Sequence, residues 1–255
     1  MQELVVLGLG QLGELFAVAA LRHGMRVSPV RRTSPRPLPW NAWARGAPIL
    51  VAVAEDALAP SVAELPPERL ADVILLQNEL FPSTWRTLEL RTPTIMVPWF
   101  NRKNDQPVQV GPPTRVRGPH AALVRDLHAA LRLPCELLSD DTALAAALAG
   151  KYAFIVTVNA LGLKEDRTVS AWWRADPALV DALLRESAAL AALLVDAAVA
   201  DRAYHLARDG VELHQALSAR GRSSRARVQR ALARAHSRGM RLTALELLLP
   251  EVTAD

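Results

Sequence analysis

Leu4-Val5-Val6-Leu7-Gly8-Leu9-Gly10-Gln11-Leu12-Gly13 is the stretch whose reading decides the fold. The four apolar residues read as a short buried strand, and the glycines follow at once. The pattern then turns helical, with Leu12, Leu15, Phe16, Ala19 and Ala20 on one face, and His23-Gly24 supplies the stop. A GxGxxG spacing alone is a weak signal. Between a buried first strand and a helix it stands where a dinucleotide's phosphates are held. Gly8 allows a tight turn, Gly10 lets the backbone approach a pyrophosphate, and Gly13 lets the helix pack closely. The helix N-terminus attracts the phosphate charge. Residues Gly8, Leu9, Gly10, Gln11, Leu12 and Gly13 are therefore read as a nucleotide-binding turn.

The next strand selects the nucleotide. Met25 to Val30 reads as strand two and ends in Arg31-Arg32-Thr33-Ser34. An NAD site usually carries Asp or Glu there for the ribose 2′-hydroxyl. No acid occurs between Glu14 and Glu55. Arg31, Arg32 and Thr33 suit a 2′-phosphate, which arginine grips through paired, charge-assisted hydrogen bonds. The expected cofactor is NADP(H). Pro29 fits this strand poorly, because proline removes a ladder donor. Pro35 to Trp40 reads as a stiff loop near the adenosine end.

Further strands are expected at Pro48–Val53, Asp72–Leu76, Thr94–Pro98 and Pro107–Gly111, with a helix over Pro119–Leu133 and a closing strand at Cys135–Leu138. Such alternation predicts a mostly parallel, Rossmann-type α/β sheet, with sites beyond the strands' C-terminal ends. Asn78 falls on that rim. After Ser139-Asp140-Asp141 strand-like punctuation stops, and helices are expected over 141–163, 176–209 and about 222–249. The boundary divides a dinucleotide-binding domain, 1–139, from a smaller all-helical domain for substrate binding and dimerisation, 140–255.

Composition excludes several classes. The single cysteine, Cys135, rules out an internal disulfide and suits a reducing compartment; in a strand it reads as core. The start lacks a secretory pattern, and the apolar run Leu183–Ala200 is broken by Arg185, Glu186 and Asp196. A cytoplasmic protein with no membrane partner is expected. The formal net charge is +4, and the positive charge is almost all arginine; the lysines are Lys103, Lys151 and Lys164. Arg220 to Arg241 resembles an amphipathic helix with a basic face, yet no nucleic-acid-binding signature accompanies it, so nucleic acid is not an expected partner. The histidines show no ligand spacing, and no metal is assigned.

In order and spacing the chain resembles the ketopantoate reductase family. The resemblance rests on the GxGxxG start, Arg31-Arg32, and Leu76-Gln77-Asn78-Glu79-Leu80, where that family usually has a Gln-Asn-Gly turn. It adds Lys151, opening an apolar helix that carries Asn159, and Ala-x-x-x-Gly-Met-x-x-Thr within 231–244. The resemblance implies a Rossmann domain plus a helical domain, with NADPH-dependent reduction of a small 2-oxo acid to a 2-hydroxy acid. It makes Lys151 the lysine that polarises the ketone, in a cleft between the domains. Asn78 becomes the contact to cofactor and substrate, and Asn159 a second substrate contact. A homodimer is compatible with it.

The chemistry agrees. Hydride addition builds negative charge on the carbonyl oxygen, which a positioned cation and amide donors stabilise. An apolar surrounding should lower the lysine pKa and favour proton donation. Positions 151 and 159 differ by about 80° around a helix and share a side. Tyr152 to Val158 has strand-like local propensity, and the resemblance decides for helix. Departures are also visible: Ile155 stands where the family has asparagine, Ala54 where it often has lysine, and the late serine and glutamate have no counterpart. Gly221-Arg222-Ser223-Ser224-Arg225 offers hydroxyls and arginines near that glutamate's place, which suggests an altered, more anionic substrate. The alternative is a non-catalytic NADP-binding sensor or assembly protein.

Overall fold

The computed structural model describes residues 2–102, 107–214, 216–221 and 223–249. The chain forms two compact units, Met1–Leu144 and Ala145–Asp255.

In the first unit, β1 (Glu3–Leu7) leads into α1 (Gln11–Arg22), then β2 (Arg26–Val30), β3 (Ile49–Val51), α2 (Leu58–Ala63), β4 (Val73–Leu75), α3 (Pro82–Thr87) and β5 (Thr94–Val97). The short β6 (Phe100–Asn101), β7 (Gln109–Val110), β8 (Thr114–Arg117), α4 (Ala121–Ala130) and β9 (Cys135–Leu137) follow. The main sheet has the order β2-β1-β3-β4-β5-β8-β9. All neighbours are parallel except β5 and β8. The order reverses at β1, with β2 on one side and β3 on the other, so the turn leaving β1 opens at the topological switch point.

Every residue of β1 is buried, as a strand covered on both faces requires. Leu4 and Val6 share a core with Leu50, Ile74, Met96 and Val116, covered by Leu15, Phe16, Ala19 and Ala20 of α1 and by Val124 and Leu127 of α4. The Phe16 ring lies 6.2 Å from Phe100 and 5.3 Å from His128. Burying one such side chain contributes roughly 1.5–3 kcal/mol.

Several expectations need correction. The segment 107–111 does not join the main sheet; Gln109 pairs with Asn101 in a separate two-stranded sheet. The sixth main strand is β8, whose Thr-Arg-Val-Arg alternation buries Thr114 and Val116. Pro29 sits on β2, an edge strand, where a missing donor is tolerated. The Pro35–Trp40 stretch does not stay at the nucleotide end. Trp40 packs edge-on against Trp43 at 4.8 Å, and the next residue, Ala44, donates to Glu3 at the start of β1.

The helices are α5 (Asp141–Lys164), α6 (Val169–Ala175), α7 (Pro177–Val195), α8 (Ala200–Leu213), α9 (Ser224–His236) and α10 (Thr243–Leu248). The expected helix over 176–209 breaks at Asp196, whose carboxylate accepts from Ala198 N and so caps a new turn. The expected 222–249 helix breaks after His236, and α6 was not anticipated; Arg222 lies outside the described residues. Among the described residues, the helix apolar and long enough to span a bilayer is α5, not the 183–200 run. The apolar window of α5 is wholly buried, as in a core helix. In the second unit α5 packs against Ser187 of α7, Ala203 and Leu206 of α8, and Arg227 and Arg234 of α9.

Candidate functional site

The glycine turn divides into positions the fold requires and one it leaves open. Gly8 has φ +91°, and a Cβ there would stand 2.7 Å from the Ala52 carbonyl oxygen. A Cβ on Gly13 would stand 1.9 Å from the Gly8 carbonyl oxygen, so the close approach is of α1 to the turn itself. A Cβ on Gly10 would meet nothing within 4 Å. The protein has no packing need for glycine at 10, and the open space beside it is what a pyrophosphate would occupy. Gly10 also precedes the first turn of α1, where no side chain caps the backbone N–H groups. Leu9, Gln11 and Leu12 are half-buried around it. These features fit a dinucleotide's phosphates.

Leu7, Val51 and Leu75 are in register, so the turns after β1, β3 and β4 emerge at one edge. Gln77 ties two of them: its Nε2 donates to Val51 O at 2.7 Å and Val53 O at 3.1 Å. Asn78 is next, half-buried in the turn after β4. It stands two strands from the glycine turn, roughly 10 Å at the usual strand spacing. Val30 pairs with Leu7, which brings Arg31, Arg32 and Thr33 to the same edge. All three are exposed, and neither arginine forms an ion pair among the described residues. Ser34 closes their turn, accepting from Arg31 N and donating to Arg31 O. Arg102 was missed in the sequence: its Nη1 donates to Gln11 O at 3.2 Å, bringing a cation to the first turn of α1. No sequence signal links positions 91 residues apart, because β5 and β6 deliver Arg102 there.

Lys151 and Asn159 belong to the second unit, as does a residue the sequence reading passed over, Arg227. Lys151 does not open its helix; it lies ten residues into α5 and is 8% exposed. Burial, reinforced by the like charge of Arg227, pulls its ammonium from 10.5 down to about 7. The Nζ stands 5.5 Å from the centroid of the Phe154 ring. Just before it, Gly150 allows α8 to approach: a Cβ there would stand 2.6 Å from Leu206 Cβ. Asn159 is 7% exposed, and its Oδ1 accepts from Arg227 Nη1 at 2.7 Å. Arg227 falls on the stripe Ser224, Arg227, Val228, Ala231, Ala235 that α9 buries. That 3–4 spacing was present in the sequence, hidden by reading the arginines as one exposed basic face. The basic face itself is broken up. Arg227 is buried, Arg234 donates to the Tyr152 hydroxyl at 3.1 Å, and Arg241 pairs with Glu246 at 2.6 Å.

Ile155 is buried and offers no polar atom where an asparagine was expected by resemblance. Cys135 is half-buried on β9, and burial pushes its thiol up to about 11, which suits an inert residue.

No family model and no curated protein matches the sequence. Solved structures match over nearly its full length. A 2-dehydropantoate 2-reductase from Methylococcus capsulatus is 12% identical with a TM-score of 0.69, covering 99% of this chain and 96% of that one. Dimeric ketopantoate reductase from Staphylococcus aureus is 14% identical with a TM-score of 0.63, covering 99% and 98%. D-mandelate dehydrogenase in a ternary structure with NADH and anilino(oxo)acetate is 15% identical with a TM-score of 0.65, covering 99% and 98%. The chain has the fold of the ketopantoate reductases and D-mandelate dehydrogenase.

Proposed function

We propose that this protein is an NADPH-dependent reductase of a small 2-oxo acid, with Lys151 as its proton donor. The observation that carries the reading is Lys151 itself, a buried lysine whose ammonium is pulled down to about 7 by burial and by the charge of Arg227. A general acid works best when its pKa is close to the operating pH.

The residues would divide the work as follows. Gly10 and the first turn of α1 would receive the cofactor's pyrophosphate, with Arg102 nearby. Arg31, Arg32 and Thr33 would hold a 2′-phosphate, and the lack of an acid after β2 favours NADPH over NADH. When bound, the reduced nicotinamide supplies a hydride to the carbonyl carbon. Lys151 Nζ would donate a hydrogen bond to the carbonyl oxygen and release its proton there as the alkoxide forms, leaving a 2-hydroxy acid. Asn78 and Asn159 would orient cofactor and substrate through their amides. Solved relatives of the fold, a D-mandelate dehydrogenase with NADH and a dimeric ketopantoate reductase, support a reductase and make a homodimer the expected assembly. The test is NADPH oxidation followed at 340 nm with a panel of 2-oxo acids; turnover of none would remove the reductase reading. The buried Ile155 favours a second reading, an NADP-binding protein without turnover, which predicts tight NADPH binding and no oxidation.

A further inference from the structure

An asparagine amide can be turned by half a rotation with little steric change, so its hydrogen bonds decide which end faces a ligand. At Asn159 the decision is made by Arg227. A guanidinium carries donors only, so the 2.7 Å contact from Nη1 fixes Oδ1 toward Arg227. Nδ2 becomes the opposite end of the amide, and it donates to no acceptor among the described residues. An amide N–H with no protein acceptor is available to a ligand that brings one. Lys151 stands two helical turns earlier, about 12 Å along the axis at the backbone. Arg227 relates to both: it hydrogen-bonds Asn159, and its like charge adds to the lowering of the Lys151 ammonium.

The ammonium, the guanidinium and the amide nitrogen are all donors, and two of them are cations. Their common complement is an anion with several acceptor oxygens, and a carboxylate next to a carbonyl supplies three. We infer that Arg227 is the specificity-determining residue of this site: it binds the carboxylate of the 2-oxo acid and turns the Asn159 amide so that Nδ2 donates to the same molecule. Lys151 is then left for the carbonyl oxygen. A planar guanidinium suits this work better than an ammonium, because its fork matches a carboxylate's two oxygens.

The inference rests on the reductase reading for its catalytic arm and not for its binding arm. The probe is anilino(oxo)acetate, a 2-oxo acid analogue that resists reduction, compared with its uncharged ethyl ester. Each is titrated calorimetrically into the full chain, with and without NADPH. Wild type should prefer the acid by about 10- to 100-fold, the range that a charge-assisted hydrogen bond carries. Arg227→Gln should lose that preference by weakening the acid alone, with ester affinity unchanged within about twofold. In turnover, the same variant should raise KM for the 2-oxo acid with kcat much less affected. Arg227→Lys, which keeps the charge without the fork, should recover the preference only in part. Equal affinity of wild type for acid and ester would overturn the inference whether or not any variant folds. So would an Arg227→Gln variant that still discriminates, or full recovery in Arg227→Lys. Analogue binding that needs Arg227 in a protein that reduces no 2-oxo acid would instead refute the reductase reading and leave the anion site standing.

Discussion

Replacing Lys151 by methionine should make the protein more stable and inactive. Burial holds the ammonium pKa at about 7 against an ordinary 10.5. At about 1.36 kcal/mol for each pH unit, keeping the charge folded costs about 5 kcal/mol below pH 7. Methionine matches the length of the stem and carries no charge, so Lys151→Met removes that cost. It also loses the ammonium's contact over the buried Phe154 ring, about 2 kcal/mol for such a desolvated interaction. The net gain at pH 6 should be about 2–4 kcal/mol. The pH dependence is the sharper signature. Between about 7 and 10.5 the unfolded chain binds a proton that folded Lys151 has released, so wild-type stability rises with pH across that window. The variant lacks that rise, and its advantage should shrink by about 2.5–3 kcal/mol between pH 6 and pH 9. Guanidinium denaturation of both proteins at the two pH values measures this. A pH-independent difference, or a variant less stable at pH 6, would refute a buried, depressed ammonium.

The glycine turn offers a paired test. Gly13→Ala should destabilise by about 1–3 kcal/mol, because its methyl collides with the Gly8 carbonyl; Gly10→Val, at the N-cap of α1 with open space around its Cβ, should keep the fold by circular dichroism and abolish NADPH binding by calorimetry. Arg31→Ala with Arg32→Ala should weaken NADPH by about 1.5–3 kcal/mol per lost contact and leave NADH unchanged, so that the two cofactors bind alike. Glu186 accepts from Ala244 N at 2.8 Å and Leu245 N at 3.3 Å, capping α10 from α7. Glu186→Ala should cost about 0.5–2 kcal/mol and speed amide exchange in α10 first.

What the sequence disclosed was local. The β1–α1 unit was legible because an unbroken apolar run, glycines and a helical stripe agree within twenty residues. β8 was not legible: two arginines in four residues give Thr114-Arg115-Val116-Arg117 a polar look, and its pairing with β5 is non-local. The break at Asp196 required weighing one capping carboxylate against a long apolar helical pattern. Tyr152 to Val158 shows the opposite case, where β-branched residues form a helix because tertiary packing on all sides of α5 overrides propensity. In the candidate site, Lys151 and Asn159 came from the family resemblance, and the structure adds that both are buried. Arg227 and Arg102 were not legible, because an arginine-rich chain makes each arginine look like surface.

The central claim is that Lys151 gives up the proton in a carbonyl reduction, and the pH dependence of kcat/KM with NADPH and the best 2-oxo acid tests it most directly. Protonated Lys151 is the active form, so the rate should be full below pH 7 and fall as pH rises through about 7. Lys151→Arg should be about 100- to 1,000-fold slower, bind NADPH normally and lack that limb, because a guanidinium does not release its proton in this range. A variant as fast as wild type, or one that keeps the same limb, would contradict the account.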